Sequence, residues 1–294
     1  MFNISVLQEP ESVEAALGLL AENARLRVIA GGTDVLIRLQ HGADGWEELL
    51  SLRKIKEMEE IGEREDGTVH IGAAAPFTRI FQNPVIRARV PILAEAAVSM
   101  GGPQIRNVAT IGGNICNGAV SGDSASSLFA LDALLRLESL AGTRILPIHE
   151  FYAGPGKVNL RPGELLTQVL VPRDSYLDTG GHYIKFAMRK AMDIATLGVA
   201  AVCRARDGRF QDLRIGLGVA APVPIRCAEA EAYAKGRTTD PETIREIGRL
   251  AVKPSRARTS WRASKDYREH LIEVLTERAV TEAVNRAGGR RADH

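Results

Sequence analysis

Apolar and polar positions change period several times along this chain, and each change marks an element. Val13, Ala16, Leu17 and Leu20 recur at helical spacing behind Ser12, which predicts an amphipathic helix with a polar N-cap. Met1 to Pro10 alternates like a strand, and Leu26 to Ala30 is a short buried strand running into Gly31 and Gly32. Thr68 to Gly72 reads as a strand, and Pro91 to Met100 as a helix stopped by Gly101, Gly102 and Pro103. Asp123 or Ser124 then opens a helix carried through Leu128, Leu131 and Leu135, and Glu164 to Pro172 is an apolar strand closed by proline. Strand-like runs follow at His182 to Arg189, Gly198 to Arg204 and Leu213 to Ala220, with helical stretches from Asp240 onward. Leu271, Leu275, Ala279 and Ala283 share one helical face; Gly288 and Gly289 are its expected stop, and Arg290 to His294 are expected to fray.

That order predicts an α+β chain in three parts. Residues 1–55 make a small α/β lobe, 56–178 a larger α+β lobe, and 179–294 an α+β domain with an antiparallel sheet and helices.

Composition narrows the function. A chain of 294 residues, 45% hydrophobic and 25% charged, can bury a substantial core. A net charge of +2 with dispersed arginines leaves no nucleic-acid footprint. No apolar run approaches a membrane span, the start lacks a signal-peptide pattern, and the cytoplasm is the expected compartment. Cys116, Cys203 and Cys227 show no disulfide or zinc spacing, and Cys116 reads as a packing residue. One ordinary iron–sulfur cluster needs about four thiolates, so any clusters are expected on another subunit. The six histidines are scattered and predict no metal site.

The chemistry concentrates in two glycine-paired stretches, each expected to be a loop, Val28-Ile-Ala-Gly-Gly-Thr-Asp-Val35 and Thr110-Ile-Gly-Gly-Asn114. A residue without Cβ lets its amide face open space, and successive amides form an anion-binding concavity. Thr33 and Thr110 add hydroxyls, and Asn114 adds an amide. A Gly-Gly pair alone is usually a turn, and neither stretch matches the Rossmann or P-loop pattern. The two together, with Asp123 nine residues beyond Asn114, predict a shared diphosphate cradle. Asp34 reads as a turn-capping carboxylate or a ligand contact, and Asp123 as an N-cap.

The stretch from Gly102 to Gly118 resembles the FAD-binding subunit of the molybdenum hydroxylases, the bacterial xanthine dehydrogenases in particular. The likeness continues through Met188-Arg-Lys-Ala-Met-Asp-Ile-Ala195 and Trp261-Arg-Ala-Ser-Lys-Asp-Tyr-Arg268, so it spans nearly the whole chain. It implies a two-lobed PCMH-type FAD-binding fold followed by a C-terminal flavoprotein domain. It also implies that Val28 to Val35 and Thr110 to Asn114 bind the diphosphate, and that Asp123 faces the ribityl or ribose part of FAD. Leu166 and Lys185 fall at flavin-contacting positions of the family, where an ammonium would stabilise a reduced, anionic ring.

The implied role is an electron relay, from iron–sulfur clusters of a partner through FAD to NAD⁺. The implied partners are a molybdopterin-binding large subunit and a 2Fe–2S small subunit, with substrate oxidised outside this chain and an exposed apolar patch for docking. Pro155 and Gly156 stand where many members carry Tyr followed by Arg, so the flavin face is expected to be covered differently, by Tyr152 or Phe151. Three rivals stay open: an aldehyde, nicotinate or carbon monoxide dehydrogenase subunit, a self-contained flavin reductase, and a FAD-free assembly subunit.

Overall fold

The computed structural model describes residues 3–289. The expected fraying of Arg290 to His294, and the first two positions of the expected first strand, lie outside the described residues.

The chain begins with β1 (Val6–Gln8), α1 (Val13–Glu22), β2 (Arg27–Ile29), α2 (Val35–Gln40) and β3 (Glu48–Ser51). The strands form a parallel sheet in the order β1-β3-β2. Parallel neighbours need crossover connections, which α1 and α2 supply. Ser12 caps α1 as its spacing predicts, its Oγ accepting from the Ala15 amide at 3.1 Å, while Ala16 and Leu17 are buried.

Next come β4 (Ile61–Glu63) and β5 (Val69–Gly72), then six helices: α3 (Phe77–Gln82), α4 (Pro84–Arg89), α5 (Pro91–Ser99), α6 (Pro103–Arg106), α7 (Ile111–Cys116) and α8 (Asp123–Ala130). The chain returns through β6 (Leu134–Ser139), β7 (Gly142–Pro147), the small hairpin of β8 (Tyr152–Gly154) and β9 (Lys157–Val158), and β10 (Leu165–Val171). An antiparallel sheet in the order β4-β5-β10-β6-β7 results. Two expectations are corrected. Leu135 belongs to β6 and not to the preceding helix, because Asp132 takes a left-handed conformation (φ 46°) directly after Leu131 and turns the chain. The second glycine pair is no loop: it forms the first turn of α7.

The last part holds β11 (Gly180–Phe186), β12 (Leu197–Arg206), β13 (Arg209–Gly218), β14 (Ile225–Arg226), α9 (Ala228–Ala234), α10 (Pro241–Val252) and α11 (Lys265–Gly289). Its four strands are antiparallel in chain order. Helix α11 buries Leu271, Leu275, Ala279 and Ala283 as their spacing predicts, but it includes Gly288 and Gly289 where a stop was expected. Strand β12 divides two cores. Ala200 and Val202 face the core of the first two sheets, while Leu197, Val199, Ala201 and Cys203 face the core under α10 and α11. Both faces being buried explains an apolar run without alternation. Every residue of α8 is buried, and at Gly216 a Cβ would lie 2.1 Å from the Ser126 carbonyl oxygen, so helix backbone rests on strand backbone. That tight seat fixes Asp123, at the start of α8.

Candidate dinucleotide cleft

The first glycine pair follows β2 directly. Gly32 takes a left-handed conformation (φ 76°), and a Cβ on Gly31 would lie 2.0 Å from the Val108 carbonyl oxygen. Only glycine permits that approach, which draws the first stretch onto the run-up to the second. Among the described residues, the amides of Gly31, Gly32, Thr33 and Asp34 donate to no protein group. Buried or clefted backbone donors are ordinarily paired, so four consecutive open amides form a site for an oxyanion.

The second pair works differently from expectation. The amides of Ile111, Gly112, Gly113 and Asn114 already bond to Ala75 O (3.2 Å), Ala73 O (2.8 Å), Thr110 Oγ1 (3.1 Å) and Thr110 O (3.0 Å). The expected amide nest is therefore absent there, because helix α7 and its Thr110 cap have consumed the donors. What α7 offers is the Thr110 hydroxyl, the Asn114 amide and the bare Cα of Gly113. Asn114 Oδ1 accepts from Ser124 Oγ at 2.6 Å, which turns its Nδ2 into the donor left over. A Cβ on Gly113 would meet Thr110 Oγ1 at 2.9 Å and otherwise open space.

Both stretches line one cavity of about 1610 Å³, larger than the roughly 300–1,000 Å³ of a drug-sized pocket. Val28, Ala30, Gly31, Gly32, Thr33, Asp34 and Val35 line one wall; Thr110, Gly112, Gly113, Asn114, Asp123 and Leu166 line others. Ile29, Ile111 and Lys185 stand behind the wall: Ile29 in the ladder of β2, Ile111 fully buried, and Lys185 bonded to Asp123. An extended diphosphate fits here, with open amides on one side and a hydroxyl and an amide on the other.

Asp34 holds the N-cap position of α2 without capping it, because its own conformation is already helical (φ −103°, ψ −41°). Its carboxylate instead accepts from Asn117 Nδ2 at 3.2 Å, and Arg38 donates to Asn117 Oδ1 at 2.7 Å. Asn117 thus clasps the first glycine stretch to the end of α7.

The N-cap reading of Asp123 is also overturned: Gly122 occupies the cap, and Asp123 makes no capping bond. Lys185 Nζ donates to Asp123 Oδ2 at 2.8 Å and to the Ser99 carbonyl at 3.2 Å. Burial raises the Asp123 carboxyl, with the Lys185 ammonium pulling against it, and burial also lifts the Tyr183 hydroxyl that approaches Asp123. Lys185, expected at the flavin, forms a buried ion pair with Asp123, whose acidic end reaches the cleft. Leu166 lies in β10 beside a bulge, where Gln168 rather than Thr167 resumes pairing with β6. Such bulges re-aim side chains next to binding sites.

Comparison with known proteins decides the family. Residues 2–174 match the FAD binding domain in molybdopterin dehydrogenase, and residues 182–283 match the CO dehydrogenase flavoprotein C-terminal domain. The xanthine dehydrogenase FAD-binding subunit of Escherichia coli O157:H7 is 42% identical over 290 residues, covering 99% of each chain. This chain belongs to the FAD-binding medium subunits of the molybdenum hydroxylases. The nicotinate dehydrogenase FAD-subunit of Eubacterium barkeri is 35% identical over 80% of this chain and 81% of its own. A carbon monoxide dehydrogenase structure from Hydrogenophaga pseudoflava superposes with a TM-score of 0.92 at 29% identity, covering 97% of this chain and 99% of that one.

In this medium subunit, neither aromatic expected to cover the flavin reaches the cleft. Phe151 and Tyr152 are buried against each other and against Phe129, because Ile148 and the β8 turn tuck them into the core. Gly156 alone of that segment lines the cleft. Several lining residues escaped sequence reasoning, among them Arg38, Trp46, Asn117, Met192 and Trp261. The chain has two tryptophans, and both line this cleft. Their rarity was the available signal, together with the segments Met188 to Ala195 and Trp261 to Arg268. Cys116 lines the cleft as well, with burial pushing its thiol up to about 12.

Proposed function

We propose that this chain holds FAD across the cleft and relays electrons from a partner's iron–sulfur clusters to NAD⁺ as the flavoprotein subunit of a xanthine dehydrogenase. The observation that carries the reading is the convergence of four open amides, Gly31 to Asp34, with Thr110, Gly113 and Asn114 on one large cavity. Val28 to Val35 supplies donors to one face of the diphosphate, and Thr110 to Asn114 supplies the other, with Ile29 and Ile111 anchoring those backbones in the sheet and core. Asp123 accepts from sugar or ribityl hydroxyls, and Lys185 holds that carboxylate in place and opposes the effect of its burial. Leu166 presents its backbone and side chain to the ring. When bound, FAD supplies the exchange between single-electron and hydride chemistry, and the protein supplies orientation and electrostatics.

The partners in this reading are a molybdopterin-binding large subunit and a 2Fe–2S small subunit. Exposed Leu140, Met192, Ile194 and Trp261 at the cleft give them an apolar docking edge. Xanthine is favoured over nicotinate by the 42% identity across 99% of the chain, against 35% across 80%. The three parts, 1–55, 56–178 and 179–294, are read as two FAD-binding lobes and a C-terminal domain, and the division is supported by the three-, five- and four-stranded sheets falling one to each part, with the small β8–β9 hairpin in the second. No described helix is long and apolar enough to cross a membrane, which accords with a cytoplasmic assignment. The test is to assay the purified native complex with xanthine and NAD⁺. Flavin absorbance and NADH formation are expected from the complex, with no xanthine turnover by this chain alone. A colourless chain that takes up no FAD refutes the reading, and NADPH-dependent reduction of a small substrate by the isolated chain points to a self-contained reductase.

A further inference from the structure

One wall of the cleft belongs to the first lobe and contains an arrangement that the diphosphate cradle does not explain. Trp46, half-buried in the segment between α2 and β3, lines the cleft. The Arg38 guanidinium lies over its ring, 5.0 Å from the centroid, and is pinned by Asn117 Oδ1 at 2.7 Å. Among the described residues no carboxylate pairs directly with Arg38, whose guanidinium lines the cleft. A fixed cation beside four open amides attracts a diphosphate. A rigid indole next to it offers a π-face on which any nucleobase can stack. Asn117 joins this pair to Asp34 at 3.2 Å, so the platform and the first glycine stretch are held as one unit.

We infer that Arg38 and Trp46 recognise the AMP half of FAD, Arg38 meeting the diphosphate and Trp46 stacking the adenine, and that this pair makes the chain select FAD over FMN. The exposed apolar residues Leu140, Met192, Ile194 and Trp261, which also line the cleft, come from the second and third parts of the chain and not from the first lobe. A redox ring that exchanges electrons with partners belongs beside those exposed residues, which leaves the Trp46 wall of the first lobe for the base. The inference rests on the FAD reading above.

The full chain, stripped of flavin, is titrated with FAD, FMN and ADP by calorimetry. Trp46→Ala is expected to weaken FAD and ADP by about 5- to 150-fold, the range for losing one base–aromatic stack, while FMN affinity stays within about twofold. Continued FMN binding also shows that the variant is folded, and Trp46→Phe is expected to restore most of the FAD affinity. Arg38→Gln is expected to weaken FAD and ADP by about tenfold or more. Equal weakening of FAD and FMN in Trp46→Ala places the isoalloxazine on this indole and overturns the inference, as does unchanged FAD affinity in either variant. Wild-type protein that binds no flavin refutes the FAD reading itself, a separate outcome.

Discussion

Gly113→Ala separates ligand binding from folding. The added Cβ points into the cleft and meets one protein atom, Thr110 Oγ1, at 2.9 Å. Gly113 sits inside α7, where replacing glycine by alanine gains about 1 kcal/mol of helix propensity. Thr110 must rotate away, which forfeits its cap on the Gly113 amide and costs about 1 kcal/mol. These terms cancel, so Tm should move by less than about 4 °C, the shift expected per 1 kcal/mol for a chain above 150 residues. FAD loses the Thr110 hydroxyl and meets a methyl group where the wall was bare. One lost hydrogen bond to a charged group is worth about 1.5–3 kcal/mol, or roughly a 10- to 150-fold weaker Kd. Gly31→Ala is the contrast: its Cβ would lie 2.0 Å from the Val108 carbonyl oxygen and 2.9 Å from the Ala109 Cα, backbone against backbone. Tm and FAD affinity should fall together in that variant. Thermal melts and FAD titrations of both variants check the scheme, and a Gly113→Ala protein with unchanged Tm and wild-type FAD affinity refutes it.

Lys185→Met leaves Asp123 buried without its partner and should cost about 3–5 kcal/mol in urea unfolding; adding Asp123→Asn should recover most of that loss, and additive penalties would show that the pair is not coupled. Arg144 donates to Glu164 at 2.7 and 2.9 Å and holds its carboxyl below the ordinary 4.5, so this contribution is complete above pH 4.5 and lost as pH falls through the depressed folded value. Arg144→Gln should flatten the acid limb of a stability–pH curve; an unchanged limb contradicts the assignment. The Cys116 thiol, raised to about 12, should stay protonated at pH 8 and react with iodoacetamide far more slowly than a free cysteine, and alkylation of the native chain at the free-cysteine rate contradicts that.

Periodicity and caps made the outer elements legible. Ser12 and Asp240 each hold a helix start through side-chain bonds to the first-turn amides, and the Leu271 to Ala283 face of α11 reads directly from spacing. Leu135 misled because it continues the helical spacing of Leu128 and Leu131, while the break lies in the backbone of Asp132. The second glycine pair suggested a loop because glycine is a poor helix former, yet Ala73 and Ala75 supply carbonyls that fix its amides from a distant part of the chain. Both glycine stretches were visible as chemistry, but the division of labour between open amides and a capped helix was not. Lys185 and Asp123 are 62 residues apart, and no local pattern announces such an ion pair. Trp46, Arg38 and Asn117 likewise come together only because side-chain hydrogen bonds tie α2 to the residue after α7.

Hydrogen exchange of the full chain with and without FAD tests the shared cradle most directly. The amides of Gly31, Gly32, Thr33 and Asp34 have no partner among the described residues and should exchange quickly until FAD protects them, whereas those of Gly112, Gly113 and Asn114 should be slow in both states. FAD that binds while residues 31–34 remain unprotected would contradict the account.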